Sequence, residues 1–301
     1  MRNPKEWKGC FTAIVTPFKE DGQLDRDAFC KNIELLIEEG GDGIIIAGCT
    51  GESWALSEEE KKEIFNLGVK QANGRTTVIG GTGQITPGET IRLCNYAKEA
   101  GMDGVMILPP GQVIPSQEDV FAFFETIANA VDIPILLYNN PKRQAVDISP
   151  ELVLKLAEIE NVVAIKESSK EFSRVLEIIR IAGDKIRVFT GKSSVRGVPA
   201  VLMGAVGWVG SADTQVMGKV AVEMFSLAER GEVKKAREIQ YQCIALEEGL
   251  GKIRAGADHA QLKYAMNLRN RPGGFARKPI QPLIESEKQS VATLLQSLNL
   301  I

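Results

Sequence analysis

Eight apolar runs of strand length, separated by amphipathic stretches of helix length, constrain this chain more than any other feature. They are FTAIVTPF (11–18), GIIIAG (43–48), TVIGGT (77–82), GVMILPP (104–110), IPILLYNN (133–140), VVAIKES (162–168), RVFTG (187–191) and AVGWVGSA (205–212). Runs that are apolar at successive positions and rich in β-branched residues belong to strands covered on both faces, the pattern of a parallel sheet whose crossovers are helices. The stretches between them carry helix-start signals. Ser57 with Glu60 forms a capping box, Ser116 with Asp119 resembles one, and Ser149-Pro150 supplies an N-cap followed by proline at the first helical position. A local repeat, EGGDGIII (39–46) against AGMDGVMI (100–107), returns after about two strand–helix units. Eight consecutive units predict an α/β fold, a (β/α)8 TIM barrel, for which about 250 residues is typical. An open doubly wound sheet is disfavoured, because the dinucleotide fingerprint G-x-G-x-x-G is missing and GGTGQ (80–84) reads as a tight strand-to-loop turn. Beyond residue 230 the pattern becomes purely helical, in EVKKAREIQYQCIALEEGL, ADHAQLKYAMNL and ESEKQSVATLLQSL. The expected division is a barrel of residues 1–230 and a C-terminal helical extension of residues 231–301, three helices with a packing or oligomer role.

Composition removes several function classes. The 301 residues are 44% hydrophobic, enough for a large core, and 36 basic against 39 acidic residues leave a net charge of only −3. No basic footprint for nucleic acid or an anionic membrane follows from that balance, so a small-molecule substrate is expected. No run approaches the roughly 20 apolar residues that span a bilayer, and the start MRNPKEWKGC lacks the apolar core of a signal peptide, so the expected location is cytoplasmic. Five cysteines without a CxxC pair fit reduced thiols and neither a disulfide framework nor a zinc site. His259 is the single histidine, so a Ser-His-Asp triad or a histidine-rich metal site is improbable. The chemistry is left to Lys, Tyr, Thr, Cys, Asp or Glu.

Active sites of such barrels form at the C-terminal ends of the strands, which makes the polar residues there the candidates. The second run ends in Cys49-Thr50-Gly51-Glu52, the fifth in Tyr138-Asn139-Asn140-Pro141, the sixth in Lys166-Glu167-Ser168, and the eighth near Val209 and Ser211. In NVVAIKESSKEF (161–172), Lys166 stands where a buried strand leaves the core. Partial loss of water disfavours its ammonium form and lowers its pKa. A neutral amine there attacks a ketone or 2-oxo acid to give an iminium, whose positive nitrogen stabilises the carbanion formed next to it. Tyr138 is the right type to move protons and Thr50 to hold a carboxylate. Each has an ordinary alternative: a lysine that snorkels into solvent, a core tyrosine with a wet hydroxyl, a threonine that caps a turn. Three such residues ending three strands of one barrel shift the balance toward chemistry.

Three motifs in matching order carry a family resemblance. GCTGE (48–52) resembles G-[TS]-T-G-E, YNNPKR (138–143) resembles Y-N-x-P-x-R, and IKES (165–168) resembles a strand-six lysine motif. The family is the dihydrodipicolinate synthase/N-acetylneuraminate lyase group of class I aldolases. The resemblance runs from about Gly9 to Ser211 and more weakly through the helical tail. It implies a homotetrameric lyase in which Lys166 forms the Schiff base with pyruvate or another 2-oxo acid and Tyr138 relays protons. Thr50, with Cys49 before it, would bind the 2-oxo acid carboxylate, and Val209 would line the pocket. Arg143 would meet the carboxylate of the second substrate; its ordinary alternative is a solvated loop cation. No metal or organic cofactor is implied. Three departures stand out: Cys49 replaces a hydroxyl residue and is a weaker donor, Gln112 takes the place of a tyrosine that reaches across a subunit interface, and Lys192 replaces an aspartate.

The leading reading is a dihydrodipicolinate synthase-like lyase that joins a pyruvate-derived enamine to an acidic aldehyde. The nearest alternative uses the same Schiff base on a 2-keto-3-deoxy sugar acid, by retro-aldol cleavage or dehydration. A ligand-binding homologue without turnover is the third, disfavoured because Lys166, Tyr138 and Thr50 are all retained.

Overall fold

A computed structural model describes residues 2–301 and closes eight parallel strands into a barrel, each pairing with the next and the last returning to the first. The strands are β1 Gly9–Ala13, β2 Gly43–Ile46, β3 Thr77–Gly81, β4 Gly104–Ile107, β5 Ile135–Asn139, β6 Val162–Glu167, β7 Arg187–Gly191 and β8 Gly207–Gly210. Every expected run contains a strand, but most runs outlast theirs. β1 starts two residues before FTAIVTPF and stops at Ala13, whereas Ile14, Val15, Thr16 and Phe18 are fully buried loop residues. The Val15 N–H donates to the Gln215 side chain at 2.8 Å instead of to a ladder. Apolarity reports burial, and in this barrel the loops above the strands are buried too.

Side chains alternate across each strand. The inward set, Phe11, Ala13, Ile45, Ile79, Met106, Leu136, Tyr138, Ala164, Phe189 and Val209, forms one buried cluster with Trp7. The outward set, including Ile44, Ile46, Val78, Val105, Ile107, Ile135, Leu137 and Ile165, packs beneath the helices. Trp7 closes the N-terminal end of the barrel, and its backbone carbonyl accepts from Arg187 Nε at 3.1 Å. The indole needs a glycine on β4: a Cβ at Gly104 would come within 2.4 Å of it.

The local repeat has a physical meaning. Asp42 Oδ2 accepts from the Cys10 N–H at 2.8 Å, and Asp103 Oδ2 from the Val78 N–H at 2.9 Å. Each aspartate, one residue before its own strand, satisfies the N-terminal amide of the preceding strand. The capping boxes at Ser57/Glu60 and Ser116/Asp119 form, and Ser149 caps the helix that opens with Pro150. The tail supplies the helices Val233–Ile253, His259–Leu268 and Glu285–Ser297. They share a second apolar cluster with Trp208, Phe225, Leu246, Leu250, Ala265, Met266 and Leu295. Among the described residues, no helix is long and apolar enough to cross a membrane.

If Trp7 is a fixed floor of the barrel, Trp7→Ala should lower unfolding stability by about 3–5 kcal/mol, the usual loss for a buried large aromatic. Urea denaturation measures it. A loss under about 1 kcal/mol would mean that the barrel closes without this plug.

Candidate active site

Two strands set the centre of the site. β5 and β6 pair Leu136 with Ala164 and Tyr138 with Lys166, so the alternation that sends Leu136 and Ala164 inward sends the next pair inward one layer higher. Below them the interior is filled with apolar side chains; above them the strands end. Lys166 is 7% exposed, and its Nζ lies 4.2 Å from the centre of the Tyr138 ring. Burial brings its pKa down to about 8; neighbouring Cys49 opposes the shift and the Arg143 cation adds to it. At pH 7 about a tenth of such amines are neutral, against fewer than roughly one in a thousand for an ordinary lysine.

Tyr138 is 4% exposed, and its hydroxyl accepts from Asn140 Nδ2 at 2.8 Å. Burial is the largest cause of a strongly raised pKa, and Cys49 raises it further. The phenol therefore keeps its proton through the ordinary pH range. Arg143, exposed on the short helix Pro141–Gln144, acts on Tyr138 as it does on Lys166, lowering the pKa of both. Asn139, beside Tyr138 but pointing outward, donates to Glu167 Oε2 at 2.8 Å and to Asp147 at 2.9 Å, and accepts from the Ile148 N–H at 3.0 Å. That network ties the strand end carrying Tyr138 to the one carrying Lys166.

The turn after β2 supplies the opposite wall. Thr50 Oγ1 lies 3.1 Å from Ser211 Oγ beyond β8, joining two loops across the mouth. The N–H groups of Cys49, Thr50 and Gly51 donate to no group among the described residues. Successive amides of this kind make a cradle for an anion. Val209 lies in the inward cluster on β8, paired with Phe11 and Gly191 on its two neighbours.

The structure thus gathers Lys166, Tyr138, Cys49, Thr50 and Val209 around one mouth, with Arg143 on its rim. Of the departing positions, Gln112 is exposed in the turn Gly111–Val113. Lys192 takes a left-handed backbone (φ 54°) at the end of β7 and pairs with Glu247 at 3.8 Å. Sequence reasoning missed the C-terminal partners of the turn. His259 is buried, with Nε2 2.9 Å from the Cys49 carbonyl, and Lys263 forms a buried ion pair with Glu52. Their only sequence signal is the spacing of four that puts both on one face of a helix.

Residues 6–298 match the model of the dihydrodipicolinate synthetase family. A protein of Methanocaldococcus jannaschii named 4-hydroxy-tetrahydrodipicolinate synthase is 36% identical over 98% of this chain and 100% of its own length. The dihydrodipicolinate synthase of Aquifex aeolicus superposes with a TM-score of 0.91 at 34% identity, covering 98% of this chain and 99% of that one. The chloride-inhibited dihydrodipicolinate synthase of Acinetobacter baumannii complexed with pyruvate gives 0.92 at 29% identity, covering 98% and 99%.

The burial of Lys166 is measurable without any substrate. With lysines labelled next to the amine, NMR should show two side chains titrating near pH 8, those of Lys166 and Lys263, and Lys166→Met should remove one of the two resonances. If the resonance lost in the variant titrates above pH 10, the amine is solvated and the site is not the one described.

Proposed function

The chain belongs to the dihydrodipicolinate synthetase family, a family of class I aldolase lyases, and we propose that Lys166 is its Schiff-base residue and pyruvate its first substrate. The observation that carries this reading is the inward pairing of Lys166 with Tyr138 at the top of an otherwise apolar barrel. The neutral amine attacks the carbonyl carbon of the 2-oxo acid. Tyr138 delivers a proton to the carbinolamine oxygen, water leaves, and the iminium remains. Loss of a proton from the adjacent carbon gives the enamine, whose carbon attacks the aldehyde carbon of the second substrate. Water then hydrolyses the product iminium and returns the amine. The carboxylate of the 2-oxo acid sits on the turn Cys49–Thr50, beside the hydroxyls of Thr50 and Ser211, and Val209 packs against its methyl end. The pyruvate complex of the related Acinetobacter baumannii enzyme supports the choice of acid.

Arg143 gives the second substrate its class. An exposed guanidinium at the rim grips a carboxylate with two parallel hydrogen bonds, which favours an acidic aldehyde. The competing substrate is a 2-keto-3-deoxy sugar acid, whose carboxylate lies at the Schiff-base end, where Thr50 on the turn after β2 would hold it without Arg143. The acidic aldehyde is preferred because the relatives described above carry synthase names. The proposal extends to a homotetramer and to a cytoplasmic location, the latter supported by five free cysteines. It also divides the chain into a catalytic barrel of residues 1–230 and a supporting helical extension of residues 231–301.

Two variants test the assignment. Tyr138→Phe should lower kcat by about 10²–10⁴, the usual contribution of a general acid–base group, with the fold intact by circular dichroism. An unchanged kcat would assign Tyr138 to packing. Arg143→Ala should cost about ten- to a hundredfold in kcat/KM for a carboxylate-bearing semialdehyde, the range usual for hydrogen bonding to a charged group, while pyruvate binding stays as in the wild type. A wild type that turns over keto-deoxy sugar acids well, with Arg143→Ala leaving that activity untouched, would replace the acidic aldehyde with the sugar acid.

A further inference from the structure

The turn proposed to hold the 2-oxo acid carboxylate is fixed from behind by residues more than two hundred positions away. The Cys49 carbonyl accepts from the Glu52 N–H at 3.1 Å and meets His259 Nε2 at 2.9 Å. A carbonyl only accepts, so Nε2 carries the hydrogen. The imidazole is 3% exposed, and the Trp54 ring stands edge-on to it at 6.3 Å, which fixes the ring plane. Its Nδ1 has no partner among the described residues, so the bond to Cys49 is the one polar contact that orients the ring.

The far end of the turn is held by Lys263, one helical turn after His259. Lys263 Nζ donates to the Thr16 carbonyl at 2.6 Å and to the Phe275 carbonyl at 2.7 Å, and it pairs with Glu52. Glu52 Oε2 also accepts from the Arg277 N–H at 2.9 Å. These contacts hold Glu52 at φ 53°, a left-handed backbone that side chains rarely adopt. Between the two anchors the Gly51 carbonyl accepts from Thr16 Oγ1 at 2.7 Å. Of the turn residues, only Thr50 has no such tether behind it, and its hydroxyl faces Ser211 across the mouth.

We propose that His259 is a positioning residue of the carboxylate subsite: its bond to the Cys49 carbonyl sets the orientation of the peptide that joins Cys49 to Thr50. The amide of Thr50 belongs to that same peptide unit, so rotating the carbonyl away rotates the N–H offered to the carboxylate. The C-terminal extension then completes the binding site and is not only packing. The inference rests on the Schiff-base reading of Lys166 and adds to it a residue that never touches substrate.

The test uses the full chain and two variants. In H259Q the amide nitrogen reaches about as far as Nε2, whereas H259N keeps a polar side chain too short to meet the Cys49 carbonyl. We read KM and kcat for pyruvate, KM for the aldehyde, and the pyruvate concentration giving half-maximal borohydride-trapped adduct. H259N should raise the pyruvate KM and the half-trapping concentration by about tenfold, the loss of one hydrogen bond, with kcat and the aldehyde KM within about twofold. H259Q should restore most of the affinity. Wild-type pyruvate affinity in H259N overturns the inference, as does an equal loss in every parameter for both variants, which a general packing role produces. A wild type that traps no 2-oxo acid overturns the Lys166 reading itself, and a normal wild-type adduct with unmoved variants overturns the His259 role alone.

Discussion

Closing eight parallel strands fixes which side chains meet inside the barrel. With a period of two, every second residue must point inward, and the ladder between β5 and β6 then makes Leu136–Ala164 one layer and Tyr138–Lys166 the next. The lower layers are apolar and closed by Trp7. Lys166 is consequently a cation placed on top of a hydrophobic plug. Its lowered pKa, its contact with the Tyr138 ring and its access to the open mouth all follow from that placement. A slip of β6 by one residue would send Lys166 out among the helices and bring Ile165 or Glu167 to the mouth in its place.

A second constraint is electrostatic. Glu52 and Lys263 are both buried, at 0% and 1% exposure, and a pair so placed is costly to desolvate unless further hydrogen bonds satisfy it. Two carbonyls satisfy the lysine and the Arg277 N–H helps the carboxylate. Burial pulls the Lys263 amine down to about 8, with Glu52 opposing. Such a pair favours one arrangement of its surroundings over others, because each alternative leaves a charge without a partner. Here it selects the arrangement in which the turn after β2 faces the mouth, docked on helix His259–Leu268.

Local patterns made most of the fold legible in the sequence. Strand runs, capping boxes and the terminal helices are encoded within a few residues of themselves, and each was found near its expected position. Strand ends were less legible, because Ile14, Val15 and Phe18 are as buried as any strand residue while their backbone bonds go elsewhere. In the site, Lys166, Tyr138 and Thr50 could be nominated because strand ends are a known location in this fold. His259 and Lys263 could not. In the sequence His259 counts only against a triad or a histidine-rich metal site, and nothing local signals that a helix near the C-terminus returns to a turn at residue 49. Gln112 and Lys192 were readable only as departures from a pattern; the Lys192–Glu247 pair needed the fold.

The central claim is that Lys166 is a nucleophilic amine. Reduction with borohydride in the presence of isotopically labelled pyruvate, followed by peptide mass spectrometry, tests it most directly, since only an iminium between amine and 2-oxo acid is trapped. A single Nε-(1-carboxyethyl) adduct on Lys166 is expected, absent when borohydride is omitted. An adduct on any other lysine, or none with pyruvate or any other 2-oxo acid, would contradict it.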